Sequence, residues 1–227
     1  MKEKILVIAA HPDDDVLGCG GFLAKNRDLS LVRVIFIAEG SSCRFVNPDS
    51  DVSKKEIRIR NQFALNSLKS LGIEDVHFFN LPCGRLDSVS LIDINKIIEE
   101  QVRDFKPDTV FTHSSRDLNN DHVICYKSTM IALRPSSFPF IKNVFCYEVP
   151  SSSDWNYLDP FQPNFFLSLQ EEHVHEKWNA LAYYETEISD FPHPRSRIGI
   201  ENLARQRGMQ CGSEYAEAYE LVRGVRF

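Results

Sequence analysis

An α/β fold with a mainly parallel central sheet is predicted by three features of the sequence. Short continuous apolar runs, too brief for helices, recur along the chain. Amphipathic stretches at helical spacing separate them, and the densest polar cluster follows the first run directly. Alternation of this kind builds βαβ units with right-handed crossovers.

Taken in order, 4–10 (Lys-Ile-Leu-Val-Ile-Ala-Ala) is a strand buried on both faces, and 16–25 is an amphipathic helix. The β-branched run 31–38 is a second strand. Ile57, Phe63, Ala64, Leu68 and Leu71 fall at helical spacing over 53–71, and Gly72 supplies a C-terminal stop. Further strands are expected at 76–79, 109–112 and 143–149, with helices at 92–105 and 121–133. Beyond Pro150 the rhythm changes: 151–163 reads as a loop, 165–169 as an edge strand and 172–184 as a helix. Two prolines are expected to hold 191–196 extended. The end of the chain, 197–207 and 214–222, reads as helical.

The 227 residues suit one domain, with an α/β core over 1–150 and a C-terminal part over 151–227 that caps it and shapes the pocket. The chain is 43% hydrophobic and 26% charged, proportions that exclude collagen-like, low-complexity and disordered readings. A formal charge of −6 with no Lys/Arg run argues against general nucleic-acid binding. The apolar run that starts at Ile5 is far too short for a membrane span. It leads straight into His11-Pro12-Asp13, so no secretory signal is read and a cytoplasmic protein is expected. The six cysteines are scattered without a C-x-x-C pair, and none is assigned chemistry.

His11-Pro12-Asp13-Asp14-Asp15 stands where the first strand ends. In an open α/β sheet, ligands bind beyond the carboxyl ends of the strands, near the point where strand order reverses. His11 and Asp14 suit zinc as a pair, and Asp13 between them is left free as a base. The competing reading makes the three acids an N-cap and first helical turn, where negative charge is favoured. Three aspartates alone fit that reading better; His11 at the strand end and Pro12 after it shift the balance.

A second cluster, 112–122, begins where the fourth strand ends. In a sheet of order 3-2-1-4-5 the first and fourth strands are neighbours, so their loops bring His11, Asp14 and one later histidine to a common point. Two histidines and one aspartate leave a fourth position for water, as in catalytic zinc sites. His113 reads as a strand-end residue with a backbone partner, and His122, at the mouth of a helix, as the better ligand. Asp121 either caps that helix or orients a ligand.

Ala10-His11-Pro12-Asp13-Asp14-Asp15, followed by Val16-Leu17-Gly18-Cys19-Gly20-Gly21, resembles the signature of the PIG-L/LmbE family of zinc-dependent N-deacetylases, A-H-P-D-D-E and a glycine-rich helix start. Asp117-Leu118-Asn119-Asn120-Asp121-His122 resembles that family's second motif, D-x-H-x-D-H. Arg60 resembles its arginine near the substrate. The resemblance implies a Rossmann-like, three-layer sandwich, Zn2+ held by His11, Asp14 and His122, Asp13 as general base, and an N-acetylated amino sugar or its conjugate as substrate. It also implies a place in glycan or glycoconjugate assembly. A homo-oligomer is compatible with it.

Two positions depart from the pattern. Asp15 stands where the family has Glu. Asn119 stands where many members carry a histidine; an asparagine donates a hydrogen bond to an oxyanion or substrate but is no proton-transfer acid. His193, between Pro192 and Pro194, is the candidate for that missing acid, against a turn histidine packed on the cap. Arg60 is read as a clamp on the substrate, with Arg195 and Arg85 weaker candidates whose default is a surface ion pair. Trp155 and Tyr157 are candidates for stacking on a sugar ring, against simple packing. The run 18–21 lacks dinucleotide-fingerprint spacing, so its glycines are read as letting the helix approach the sheet.

Two other readings stay open on the residues alone. A Mg2+ or Mn2+ phosphoesterase using Asp13, Asp14 and Asp15 leaves His11 and His122 without a role. A non-catalytic sugar- or nucleotide-binding module leaves Asp13 without one.

Overall fold

Every residue from Ile5 to Ala10 is fully buried, and the alternation of the pleat explains how. Ile5, Val7 and Ala9 enter one apolar cluster, with residues of the first, second and fifth helices. Leu6, Ile8 and Ala10 enter another, with residues of the third and fourth. A strand covered on both faces has no polar side to show, which is why its sequence is a continuous apolar run. The computed structural model, which describes residues 2–226, is therefore a three-layer α/β sandwich.

Its sheet has seven strands: β1 (Glu3–Ala9), β2 (Ser30–Ala38), β3 (Asp75–Leu81), β4 (Thr109–His113), β5 (Asn143–Tyr147), β6 (Phe165–Leu169) and β7 (Tyr215–Gly224). Their order is β3-β2-β1-β4-β5-β7-β6. The first five are parallel, and β7 pairs antiparallel with both β5 and β6. The helices are α1 (Asp14–Lys25), α2 (Asp51–Ser70), α3 (Leu91–Phe105), α4 (Asn120–Ala132), α5 (Glu171–Leu181) and α6 (Arg197–Cys211). Strand order reverses between β1 and β4, so the loops after these two strands open into one crevice. No helix among the described residues is long and apolar enough to cross a membrane.

Two expectations are corrected. Residues 214–222 are not helical: Tyr215–Gly224 is a ten-residue strand. Its Ala, Glu and Leu residues favour helix locally, but pairing on both edges overrides propensity. Two of its buried acids also have work only a strand here performs. Glu217 accepts from the backbone N–H groups of Gly21 and Phe22 and pairs with Lys177 at 2.7 Å. Glu220 accepts from Ser114 and pairs with Arg116. The segment 191–196 is likewise not extended. It folds into consecutive turns, with His193 N–H donating to Asp190 and Ser196 N–H to His193, and the Phe191–Pro192 peptide is cis. The C-terminal part thus completes the sheet.

The glycines of α1 permit close approach, as read from the sequence. A Cβ on Gly18 would overlap the Tyr147 ring of β5, and one on Gly21 would crowd Leu169 and Glu217. Gly18→Ala is therefore expected to destabilise the protein by about 1–3 kcal/mol through overpacking, read as a lower urea midpoint; an unchanged midpoint would show that the helix has room to move.

Candidate active site

Asp13, His11 and Asp14 leave the end of β1 in a turn whose geometry does not suit a simple helix cap. Asp13 occupies the N-cap position of α1, yet its side chain makes no capping hydrogen bond and its φ is 125°. A non-glycine residue held there costs on the order of 1–3 kcal/mol and persists only where its surroundings fix it. They do: Asp13 is 1% exposed, with Arg60 Nη2 3.1 Å from Oδ1 and Arg195 Nη1 2.8 Å from Oδ2. Burial pushes the Asp13 carboxyl up, and the two guanidiniums oppose that rise without cancelling it. Of the roughly four lone-pair positions of a carboxylate, two remain to accept a proton.

His11, Asp14 and His122 converge below Asp13. Their ligand atoms lie within 4.8 Å of one another. Asp14 Oδ2 is 3.3 Å from His11 Nδ1 and 3.3 Å from His122 Nε2. Two metal bonds of about 2.0–2.1 Å at a tetrahedral angle set ligand atoms about 3.3 Å apart. His122, 1% exposed, has no hydrogen-bond partner for Nε2 among the described residues. A buried imidazole nitrogen aimed at a carboxylate and a second imidazole is what a divalent metal fits.

The outer contacts fix which nitrogen of each ring is free. Asp121 Oδ2 lies 2.9 Å from His11 Nε2 and accepts from Gly84 N–H, while its other oxygen accepts from Leu86 N–H. His11 donates through Nε2, which turns the Nδ1 lone pair to Asp14. Asp121 thus orients the His11 ring. Asp117 does the same for His122, lying 3.1 Å from Nδ1 though too bent for a full hydrogen bond. Asp117 is itself held by Ser152, Ser153 and the Asn119 amide. Burial alone would raise Asp117, but the His122 imidazole beside it holds it down to about 2. Burial works against charge on His122 too, yet Asp14 and Asp117 bring that ring up to about 10, so a metal entering here displaces a proton.

His113 takes the strand-end role read from the sequence. Its Nε2 accepts from Ala10 N–H at 2.8 Å, joining β4 to the end of β1, and its ring stacks on His122 at 4.0 Å. Burial drives it down to about 3, so it stays neutral.

The remaining expected site residues fall into different places. Arg60, 5% exposed, gives Nε to Pro12 O, Nη1 to Gly40 O and to Glu187, and Nη2 to Asp13. Its guanidinium is engaged by the protein rather than presented as a clamp. Asn119 caps α4, its Oδ1 accepting from Asp121 N–H at 3.0 Å, which leaves the Nδ2 donors. His193 is half-buried; its Nδ1 accepts from Arg195 N–H, and its ring stands edge-on to Trp155 at 6.4 Å. Tyr157 is exposed.

Arg195, Glu187 and Asp117 contribute more than the sequence suggested. Arg195 is bound at Pro150, Ser151 and Asp13. Glu187 joins Arg44 to Arg60. The only local hint was Arg195 standing in the same proline-rich segment as His193, since its partner Asp13 is 182 positions away.

A doubly wound sheet with a histidine–carboxylate cluster that could hold a metal and a separately held aspartate at its switch point defines a class of α/β protein built around a polar crevice. The chain belongs to the PIG-L family, described as GlcNAc-PI de-N-acetylase, whose model matches residues 6–133. It is 28% identical over 191 residues to an uncharacterized deacetylase, YaiS, of Escherichia coli (strain K12), covering 82% of this chain and 92% of that one. The fold superposes on N,N'-diacetylchitobiose deacetylase from Pyrococcus horikoshii with a TM-score of 0.76 at 20% identity, over 98% of this chain and 84% of that one. It also superposes on GalB, the 4-carboxy-2-hydroxymuconate hydratase of Pseudomonas putida KT2440, with a TM-score of 0.74 at 21% identity, over 99% and 98% of the two chains.

Removal of an orienting carboxylate should be felt at the metal. Asp117→Asn is expected to weaken Zn2+ binding about 10–100-fold, measured by competition with a chelator; wild-type affinity would show that Asp117 serves the Ser152–Ser153 turn alone.

Proposed function

We propose that this protein hydrolyses the acetyl amide of an N-acetylated amino sugar or its conjugate, with Zn2+ held by His11, Asp14 and His122. The observation that carries the reading is Asp13: a buried carboxylate, backbone-strained and steadied by two arginines, beside a two-histidine, one-carboxylate cluster of which it is not part. A binding module has no use for such a base, and an all-oxygen Mg2+ site has none for two buried histidines.

His11, Asp14 and His122 would hold the zinc ion, which when bound would supply Lewis acidity toward an acetyl carbonyl and would make water a stronger acid. Asp13 takes the proton from the attacking water. Arg60 and Arg195 keep its carboxylate aimed while two lone-pair positions stay open, so Arg60 acts by positioning Asp13. Asp121 and Asp117 hold the two imidazoles in their ligating tautomers. The Asn119 Nδ2 donors serve the oxyanion, because Oδ1 is committed to the cap of α4.

The departing amine must gain a proton, and His193 is assigned that step. With Nδ1 accepting from Arg195 N–H, the ring as it stands has its donor on Nε2. To protonate the amine it has to bind a second proton on Nδ1 and release Arg195 N–H, and Arg195 is bonded to Asp13, the group that takes a proton from water. Trp155 packs against the same ring and offers a sugar an apolar face. The substrate class rests on the family and on relatives such as the diacetylchitobiose deacetylase.

Acetate release from N-acetylglucosamine conjugates is the test. Activity is expected with Zn2+, to be lost with chelator, and to fall about 10²–10⁴-fold in Asp13→Asn; no acetate from any acetylated amino sugar overturns the reading. His193→Ala is expected to lower kcat at least tenfold with little change in KM, and a rate within a few-fold of wild type removes His193 from the mechanism.

A further inference from the structure

Cys43 and Cys83 come from the loops after β2 and β3, and their sulfurs stand 3.3 Å apart. Cys43 is exposed and Cys83 is buried. The two loops are fixed to each other by one carboxylate: Glu39 accepts from the N–H groups of Ser41 and Ser42 on one side and of Cys83 on the other. They are also packed tightly, since a Cβ on Gly84 would sit 3.0 Å from Cys43 Cβ. The sulfurs are thus held as neighbours by the fold. Of the other cysteines, Cys19, Cys125 and Cys146 are buried and Cys211 is exposed; none has a sulfur partner among the described residues.

We propose that Cys43 and Cys83 form an oxidation site, closing to an internal disulfide in the presence of a low-molecular-weight disulfide. The exposed Cys43 thiolate attacks one sulfur of the oxidant and expels a thiolate. Cys83 then attacks the Cys43 sulfur of the mixed disulfide and expels the second. One S–S bond is broken and one is made. The oxidant takes two electrons and leaves as two thiols, which carry the protons given up by Cys43 and Cys83.

Closure reaches the metal cluster by a short path. A disulfide brings the sulfurs to about 2.05 Å, which draws on the Cys83–Gly84 turn. Gly84 N–H donates to Asp121 Oδ2 at 2.6 Å and Leu86 N–H to Oδ1 at 3.1 Å, and Asp121 orients His11. Cys83 Sγ itself lies within 4.8 Å of ligand atoms of His11 and Asp121. The oxidised protein should therefore hold metal less well.

The test treats the full chain with oxidised glutathione and maps its peptides by mass spectrometry. The expected product links the Cys43 and Cys83 peptides, has lost two hydrogens, and leaves Cys211 at most glutathionylated. If Cys211 reacts while Cys43 and Cys83 stay unlinked, the proposal is overturned. This readout does not depend on deacetylase activity. A chelator competition on the same samples is expected to show Zn2+ affinity reduced about tenfold on oxidation, restored by dithiothreitol and insensitive to oxidant in Cys43→Ser. Equal affinity in the oxidised and reduced protein overturns the coupling to the metal cluster.

Discussion

The guanidinium of Arg60 is the contact on which the rest of the site depends. From α2 it reaches the carbonyls of Pro12 and Gly40, the carboxylate of Asp13 and that of Glu187. It therefore ties together the loop after β1, the loop after β2 and the C-terminal part. Buried cations are tolerated only when paired and hydrogen-bonded, and here both conditions hold. Removing such a group would leave two buried carboxylates short of a partner, which is the costly way to break a buried pair. The positive φ of Asp13 is stable for the same reason: the strained residue is held at both ends, by its backbone in the turn and by its carboxylate between two arginines.

The metal cluster is organised on a different principle. Its rings are aimed by carboxylates that touch them on the side away from the cluster, Asp121 for His11 and Asp117 for His122. Each of these carboxylates is in turn fixed by backbone amides or hydroxyls from other loops. His113 contributes by being neutral, filling the space behind His122 and pinning the end of β1 to β4. Three histidines stand close together, but only His11 and His122 turn to Asp14 a ring nitrogen that has no other partner. The third spends its acceptor on Ala10 N–H, so local hydrogen bonding decides which ring nitrogens stay open toward Asp14.

This arrangement was partly legible in the sequence. Local patterns show where β1, β2, β4 and β5 lie, because a strand buried on both faces has no alternative to an apolar run. The acid-rich turn after β1 and the 117–122 segment after β4 were readable together, since the reversal of strand order makes those two ends neighbours. Strand β7 was not readable. Its Tyr-Ala-Glu-Ala-Tyr-Glu sequence carries no apolar run, and its glutamates are buried only because Lys177, Arg116 and the amides of α1 meet them. Arg195 and Glu187 were hidden for a similar reason: an ion pair across most of the chain leaves no local periodicity. Arg60 was visible as a residue, but its contacts with Pro12, Gly40, Asp13 and Glu187 were not, because none of them follows from local pattern.

A hydratase and a deacetylase share this fold closely enough that the sheet alone does not choose between them. Both reactions start by activating water, and a buried aspartate beside a metal cluster serves either. They diverge in where the second proton goes. Adding water to a carbon–carbon double bond ends with a proton on carbon. Hydrolysing an amide ends with a proton on nitrogen, and without it the amine leaves as a strongly basic anion. The chemistry is therefore separated by the group placed opposite the base. Here the segment that follows α5 delivers Arg195 to Asp13 and, two residues earlier, His193, whose Nδ1 accepts from Arg195 N–H. One short proline-flanked turn therefore ties the position of His193 to the arginine that holds Asp13.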